Sequence, residues 1–298
     1  MILVTGAAGF VGYHLVNALA GQQKRVRCLV RNEPAKINIC DKHIEVIQGD
    51  IRDKKVIDSA VKGARQVVHL AAVIQSPDPE VVCQVNVEGT RNLVESSRQY
   101  GVEQFVFFST LNTVLPVKNR YSKSKEKAED IVRKSGLNFT ILRPSVIYGN
   151  GDDGTIARLV HAVKNRKIIY LLGNGKYKLQ PVYIDDVIKA ICETLNNLCQ
   201  FKDRTLFLVG KEIVSYTGLV DVISEIIGVK KYKCYIPLSV IDIIIKVFSL
   251  FSKKGIQLED KLKTYPHDKI IVDKLLQKDI FPLQVAPLKE GLSRYIAN

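Results

Sequence analysis

Short apolar runs rich in Val and Ile recur through the first half of the chain, separated by stretches whose apolar residues fall three and four apart. Residues 2–4, 25–30, 44–47, 67–72, 105–108 and 139–142 read as strands, and 105–108 is nearly continuous apolar, as a strand covered on both faces should be. Helical patterns begin at Tyr13, run over 53–61, over 79–99 with apolar positions at 81, 82, 85, 87, 93 and 94, and over 126–133. Strand and helix in alternation predict an α/β fold with a doubly wound parallel sheet. After Gly149 the regularity breaks, Gly173-Asn174-Gly175 marks a turn, and Asp185-Asp186 predicts an N-cap for a helix over 187–196. The expected organisation is a dinucleotide-binding Rossmann domain over 1–150, with 182–197 returning to it. A smaller C-terminal α/β substrate region would occupy 151–181 and 198–298.

The first strand runs into Thr5-Gly6-Ala7-Ala8-Gly9-Phe10-Val11-Gly12. Glycines at 6, 9 and 12 let the backbone turn tightly, approach a pyrophosphate without an intervening side chain, and pack the next helix on the sheet. The helix N-terminus then offers unpaired N–H groups to phosphate. Arg31 follows Gly12 by 19 residues, at the end of the second strand. An acidic residue about 20 residues on would hold the ribose 2′-hydroxyl, whereas an Arg suits a 2′-phosphate. Arg31, with Arg27 and Lys36 near it, therefore favours NADP(H) and leaves NAD(H) as the other cofactor.

Composition adds bounds. At 298 residues, 46% hydrophobic and 25% charged, the chain is that of an ordinary globular protein with room for a large core. A strand starting at residue 2 predicts no signal or transit peptide, hence a cytoplasmic protein, at most attached to a membrane surface. The six cysteines show no CxxC pair and several lie in apolar runs, so neither a disulfide nor a metal site is expected. The net charge of +14 is spread evenly, 21 basic against 14 acidic residues in 1–150 and 23 against 16 in 151–298. That spread argues against nucleic acid and suits an anionic cofactor, an acidic membrane surface or a solvated basic face.

Tyr121-Ser122-Lys123-Ser124-Lys125 places a phenol and an ammonium at i and i+4, neighbours on one helix face. A fixed cation can stabilise a phenolate and so fit Tyr121 for acid/base work near neutral pH, and the same Lys125 can hold a nicotinamide ribose. The strand ending at Phe108 delivers Ser109 and Thr110, either of which could hydrogen-bond a reacting alcohol or carbonyl.

With these residues in view the chain resembles the extended and atypical short-chain dehydrogenase/reductase superfamily, the NAD(P)-dependent epimerase/dehydratase group. TGAAGFVG (5–12) resembles its phosphate loop, GDIRD (49–53) its adenine-contacting turn, HLAAV (69–73) its ribose-side strand end, NVEGT (86–90) its structural helix, YSKSK (121–125) its catalytic pair, LRPSVIYG (142–149) its nicotinamide-side loop and PVYIDDV (181–187) its late strand-to-helix step. The resemblance implies cofactor contacts from Gly6, Ala8, Gly9, Phe10, Val11, Gly12, Arg31, Asp50, Ile51, Leu70, Ala71, Ala72, Asn86, Tyr121, Lys125, Pro144, Ser145 and Val146. It implies hydride transfer at an alcohol or ketone centre, with nucleotide sugars the commonest substrates. Residues 135–153, 171–187 and 281–296 are also similar to relatives of the NADPH-binding accessory subunit of respiratory complex I, which implies a non-catalytic binding subunit as the rival reading. The diphosphate-gripping Arg of nucleotide-sugar enzymes is replaced by Leu179, with Lys178 beside it.

Residues 237–252 are apolar apart from a narrow stripe at Ser239, Asp242, Lys246 and Ser249, and lysines 230, 231, 233, 253 and 254 flank them. The stretch is too short for a span of about 20 residues. Three readings stay open: a buried helix lining a substrate cleft, which with Leu179 would suit a hydrophobic steroid-, lipid- or quinone-like ketone; an exposed face for a membrane surface or a respiratory complex; or a homodimer contact.

Overall fold

The computed structural model describes residues 1–31, 41–262, 264, 265, 267–271 and 273–297; Lys36 and Cys40 lie outside the described residues. Along the chain come β1 (Ile2–Thr5), α1 (Phe10–Gly21), β2 (Val26–Val30), β3 (Ile44–Gln48), α2 (Lys54–Val61), β4 (Gln66–His69), α3 (Pro79–Cys83), α4 (Gly89–Gln99), β5 (Gln104–Phe108), α5 (Arg120–Arg133) and β6 (Phe139–Pro144). Then follow β7 (Ile147–Tyr148), α6 (Thr155–Asn165), β8 (Ile168–Leu172), β9 (Lys178–Leu179), β10 (Val182–Tyr183), α7 (Ile184–Asn196), α8 (Leu198–Phe201), β11 (Arg204–Leu208), β12 (Val214–Ser215), α9 (Tyr216–Ile227), β13 (Tyr232–Ile236), α10 (Leu238–Phe251), α11 (Lys253–Leu262), α12 (Lys274–Gln277) and α13 (Leu288–Ala297).

The main sheet has seven strands in the order β11-β6-β5-β4-β1-β2-β3, and the pairings from β3 through β1 to β6 are all parallel. This is the doubly wound α/β fold that the alternation predicts. Chain order reverses between β1 and β4, which opens a crevice at their carboxyl ends. Leu3, Val67, Phe105, Phe107 and Ile141 from the strands meet Ile57, Leu93 and Val132 from the helices in a core closed to solvent.

The chain divides into two compact units. The first comprises Met1–Thr113, Arg120–Arg143 and Ile188–Leu206. In it the α7 backbone is tied to the sheet, since Gln66 and Gln104 donate side-chain hydrogen bonds to the carbonyls of Leu195 and Thr194 at 2.8 and 2.7 Å. The second unit comprises Val114–Asn119, Pro144–Val187 and Phe207–Asn298, and contains three small pairings, β7 with β10, β9 with β12, and β8 with β13.

Several boundaries differ from the sequence reading. Helix α1 starts at Phe10, three residues before Tyr13, because Gly9 already occupies the cap. The helix expected over 79–99 is interrupted by a π-helical turn, Gln84–Glu88, whose extra residue shifts the inward face. Asp185 and Asp186 lie in the first turn of α7 instead of capping it, where a carboxylate still complements the helix dipole. Nor is residue stretch 237–252 a buried helix: among the described side chains of α10 only Ile245 is buried, while Val240, Ile243, Ile244 and Val247 face outward.

Candidate functional site

All three loop glycines serve the turn after β1. Gly6 has φ +70°, and a Cβ there would lie 2.7 Å from Ala71 N. At Gly12 a Cβ would come within 2.2 Å of the Gly6 carbonyl oxygen, so this position closes the helix onto the loop. Helix α1 begins with no side-chain cap and no acidic residue in its first turn. Its leading N–H groups therefore point toward a site that a phosphate suits.

A cavity of about 310 Å3 adjoins this turn. Gly6, Ala8 and Gly9 line one side, Leu70, Ala71 and Ala72 another, and Arg31, Asp50 and Ile51 a third. The fold thus brings together nine of the residues expected to contact a cofactor, from the ends of four adjacent strands. Gly49 and Val73, from the two motifs expected at the cofactor over 49–53 and 69–73, also line it, as do Leu29 and Val85, which were not expected. Phe10, Val11 and Gly12 belong to the first turn of α1, where Phe10 meets the His14 ring edge-on. Arg31 is exposed at the cavity edge. The Asp50 carboxyl is held below the usual range chiefly by its hydrogen bonds with the Arg52 guanidinium, and the charge of Arg31 adds to this. Arg27, expected beside Arg31, is turned away: its guanidinium donates to the carbonyls of Ala60 and Lys62 and pairs with Glu45.

Beneath the cavity runs a buried chain of hydrogen bonds that sequence reading missed. Ala71 N–H donates to Thr5 Oγ1 at 3.2 Å, and Thr5 Oγ1 lies 2.8 Å from His69 Nδ1. His69 Nε2 lies 2.9 Å from Thr90 Oγ1, which itself donates to the Asn86 carbonyl at 2.7 Å. Since the Thr90 proton is committed to that carbonyl, His69 Nε2 carries the hydrogen and Nδ1 accepts from Thr5. Burial, with Lys125 adding, lowers the His69 pKa well below the ordinary imidazole value, so the ring is neutral. Asn86, expected at the cofactor, instead clamps the loop after β4: it accepts from Val73 N–H and donates to Val73 O and Ser124 Oγ. It is not among the cavity-lining residues.

Tyr121 and Lys125 share one face of α5, the phenol half-buried and the ammonium enclosed, with Lys125 Nζ 3.9 Å from the centre of the Phe107 ring. Burial pushes the Lys125 pKa down to about 7, against an opposing pull from Glu129, and pushes Tyr121 up to about 12. The expected lowering of the Tyr121 phenol by Lys125 is absent, because desolvation is the dominant influence on both groups.

One turn further along α5, Glu129 is fully enclosed and accepts from Ser109 Oγ, from Thr113 Oγ1, from Arg143 Nε and Nη2, and from Arg133 Nη2. Burial raises its pKa, but the hydrogen bond and charge of Arg143 outweigh it and hold the carboxyl below the usual value. The Ser109 proton is therefore committed to Glu129. Thr110 differs: its Oγ1 accepts from Asn112 N–H at 3.3 Å.

Pro144, Ser145 and Val146 fall in the second unit. There Ser145 Oγ donates to the Gln180 carbonyl and its N–H to Leu208 O, while Val146 O accepts from Val182 N–H. In the same unit Leu179 is buried and Lys178 exposed, as alternation along β9 requires. Among the described residues no cluster of His, Cys, Asp or Glu is placed to hold a metal ion, and the described cysteines, Cys28, Cys83, Cys192, Cys199 and Cys234, are free.

Comparison with known proteins places this geometry. Residues 2–210 match the profile of the NAD dependent epimerase/dehydratase family. A ceramide reductase of Caulobacter vibrioides is 32% identical over 197 residues, covering 65% of this chain and 61% of the relative. A 3 beta-hydroxysteroid dehydrogenase/Delta 5-->4-isomerase of Mycobacterium tuberculosis is 32% identical over 215 residues, covering 63% of this chain and 58% of the relative. The chain thus spans about three fifths of the length of these two relatives. Among solved structures, UDP-glucuronic acid 4-epimerase from Bacillus cereus, in complex with UDP-glucuronic acid and NAD, superposes with a TM-score of 0.80 at 20% identity, over 99% of this chain and 98% of that one. With the strand order, the glycine turn and this match in hand, the chain belongs to the NAD dependent epimerase/dehydratase family, the nicotinamide-dinucleotide-dependent group of extended short-chain dehydrogenases/reductases.

Proposed function

We propose that this protein is an NADP(H)-dependent oxidoreductase that interconverts a secondary alcohol and its ketone on an apolar substrate. The observation that carries the reading is the Tyr121 and Lys125 pair on one face of α5, in the same unit as the glycine-lined cavity. The cradle fits a dinucleotide, because Gly6, Ala8 and Gly9 line it with backbone and small side chains only and the α1 N-terminus carries no competing side-chain cap. A bound nicotinamide would supply or accept the hydride. Ala8, Gly9 and the α1 N-terminus would hold the pyrophosphate of the dinucleotide, and Arg31 would meet the 2′-phosphate.

Tyr121 is the proton donor to the ketone oxygen. A phenol held near 12 keeps its proton at neutral pH, which fits it for reduction first. Lys125, one helical turn from Tyr121, would anchor the nicotinamide ribose. Thr110, not Ser109, orients the substrate oxygen, because the Ser109 hydroxyl is held by Glu129.

One observation favours an apolar substrate over a nucleotide sugar. Leu179 is buried where the resemblance places a diphosphate-binding Arg, and Lys178 is exposed. Reduction of a ceramide and oxidation of a steroid, in the names of two relatives, are chemistry of this kind. The test is a screen of NADPH oxidation at the reduced-nicotinamide absorbance with apolar ketones and UDP-sugars, in wild type and Tyr121→Phe. Turnover of a ketone that the substitution abolishes, with NADPH affinity kept, is the expected result. Turnover that survives it removes Tyr121 from the role, and tight NADPH retention with no substrate turned over would make the protein a binding subunit.

A further inference from the structure

We propose that the outer face of the β8–β13 pair, continued by the outward stripe of α10, docks on an anionic lipid surface. Parallel strands are ordinarily covered on both faces. Here Ile169 and Leu171 on β8 are buried inward, but the opposite face presents Ile168 and Tyr170 together with Tyr232, 78% exposed, and Cys234. The register pairs Ile168 with Tyr232 and Tyr170 with Cys234, so the four side chains share one side.

Charge is arranged to match. Arg166-Lys167 leads into β8 and Lys230-Lys231 into β13, and because the strands are parallel both dipeptides sit at the same end of the pair, where Tyr232 N–H bonds to Lys167 O at 3.1 Å. No Asp or Glu occurs between Asp153 and Asp185, nor between Glu225 and Asp242. A basic end beside an apolar, tyrosine-bearing face is the chemistry of the headgroup boundary, where each Lys or Arg contributes about 1 kcal/mol against an anionic surface.

Helix α10 continues the segment directly after Pro237. A Cβ at Gly173, just after β8, would lie 3.3 Å from Leu238 Cγ, so the first turn of α10 is held against the end of the same pair. Val240, Ile243, Ile244 and Val247 recur at i, i+3, i+4 and i+7 and are 45 to 65% exposed, the reverse of the usual inward stripe. At 14 residues the helix is about 21 Å long, short of the hydrocarbon thickness. It lies in the interface and does not span. Aliphatic side chains with no hydrogen-bonding capacity favour lipid over a nucleic acid, which the basic end alone could also attract.

The inference stands apart from the substrate reading, since it concerns attachment and not turnover. Flotation of the full chain with phosphatidylcholine vesicles, with and without phosphatidylglycerol, tests it. Binding should require the anionic lipid. It should fall about tenfold or more in Lys230→Glu/Lys231→Glu, which reverses two interfacial charges, and again in Tyr232→Ser/Ile243→Ser, while NADPH affinity stays unchanged in both. Wild type that stays with the unbound fraction overturns the proposal, as do variants that float like wild type. Variants that instead convert a dimer to a monomer in sedimentation velocity would assign the face to self-association. Wild type that retains duplex DNA but does not float with anionic vesicles would overturn the proposal and assign the basic end to nucleic acid.

Discussion

Replacing Lys125 by Met should stabilise the cofactor-free protein while removing its function. Lys125 is 1% exposed, and burial lowers its pKa from 10.5 to about 7. That shift corresponds to a penalty of about 5 kcal/mol on the charged form in the folded state. The Phe107 ring under Nζ acts against this penalty. Met keeps the unbranched stem against the ring and carries no charge. The sign follows from linkage: the folded pKa lies below the unfolded one, so between about 7 and 10.5 the unfolded chain binds more protons and wild-type stability rises with pH. The advantage of Lys125→Met should therefore be largest at and below pH 7 and shrink toward pH 10. Urea unfolding of both proteins, followed by circular dichroism at several pH values, measures it, because groups that do not interact with Lys125 cancel in the difference; His69 and Glu129 do interact with it. A variant less stable than wild type at pH 6, or a difference that does not change with pH, refutes the reasoning.

Arg31→Ala should weaken NADPH about 10- to 100-fold, as loss of a charged hydrogen bond implies, and leave NADH within about threefold, read by fluorescence titration. Equal affinities in the wild type would refute the NADP(H) preference. Glu129→Gln should cost about 3–5 kcal/mol, because Arg143 and Arg133 then face an uncharged amide in an enclosed site. Its folded pKa is depressed, so the Glu129 contribution is present above the unfolded carboxyl value and lost as pH falls through the folded one, and urea midpoints across that range should show a flatter acid limb in the variant. Gly12→Ala should lower stability in the same urea assay by about 1–3 kcal/mol and abolish dinucleotide binding, since its Cβ would lie 2.2 Å from the Gly6 carbonyl oxygen.

The fold and the cofactor turn are legible in the chain itself, because both rest on local rules. Alternating apolar runs and helical spacing specify a doubly wound sheet, and a glycine turn between a strand and a helix must sit at that strand's carboxyl end, which is why Gly6, Ala8, Gly9 and Arg31 meet at one cavity. The i, i+4 spacing of Tyr121 and Lys125 likewise needs only a helix.

Tertiary structure decided what each polar group is free to do. Ser109 and Thr110 are equivalent by sequence, and only the approach of Glu129 from α5, with Arg143 from β6, shows that Ser109 is already committed. Resemblance places Asn86 at the cofactor, but the π-helical turn aims its amide at Val73 and Ser124. Arg27, two residues after Arg25 and four before Arg31, faces the carbonyls at the C-terminal end of α2 because strand alternation and the packing of that helix choose its side. Hydropathy does not assign the apolar stretch 237–252, since it reports that a face is greasy and not what covers it. Burial is a property of neighbours that arrive from distant parts of the chain, and those among the described residues leave Val240, Ile243, Ile244 and Val247 exposed.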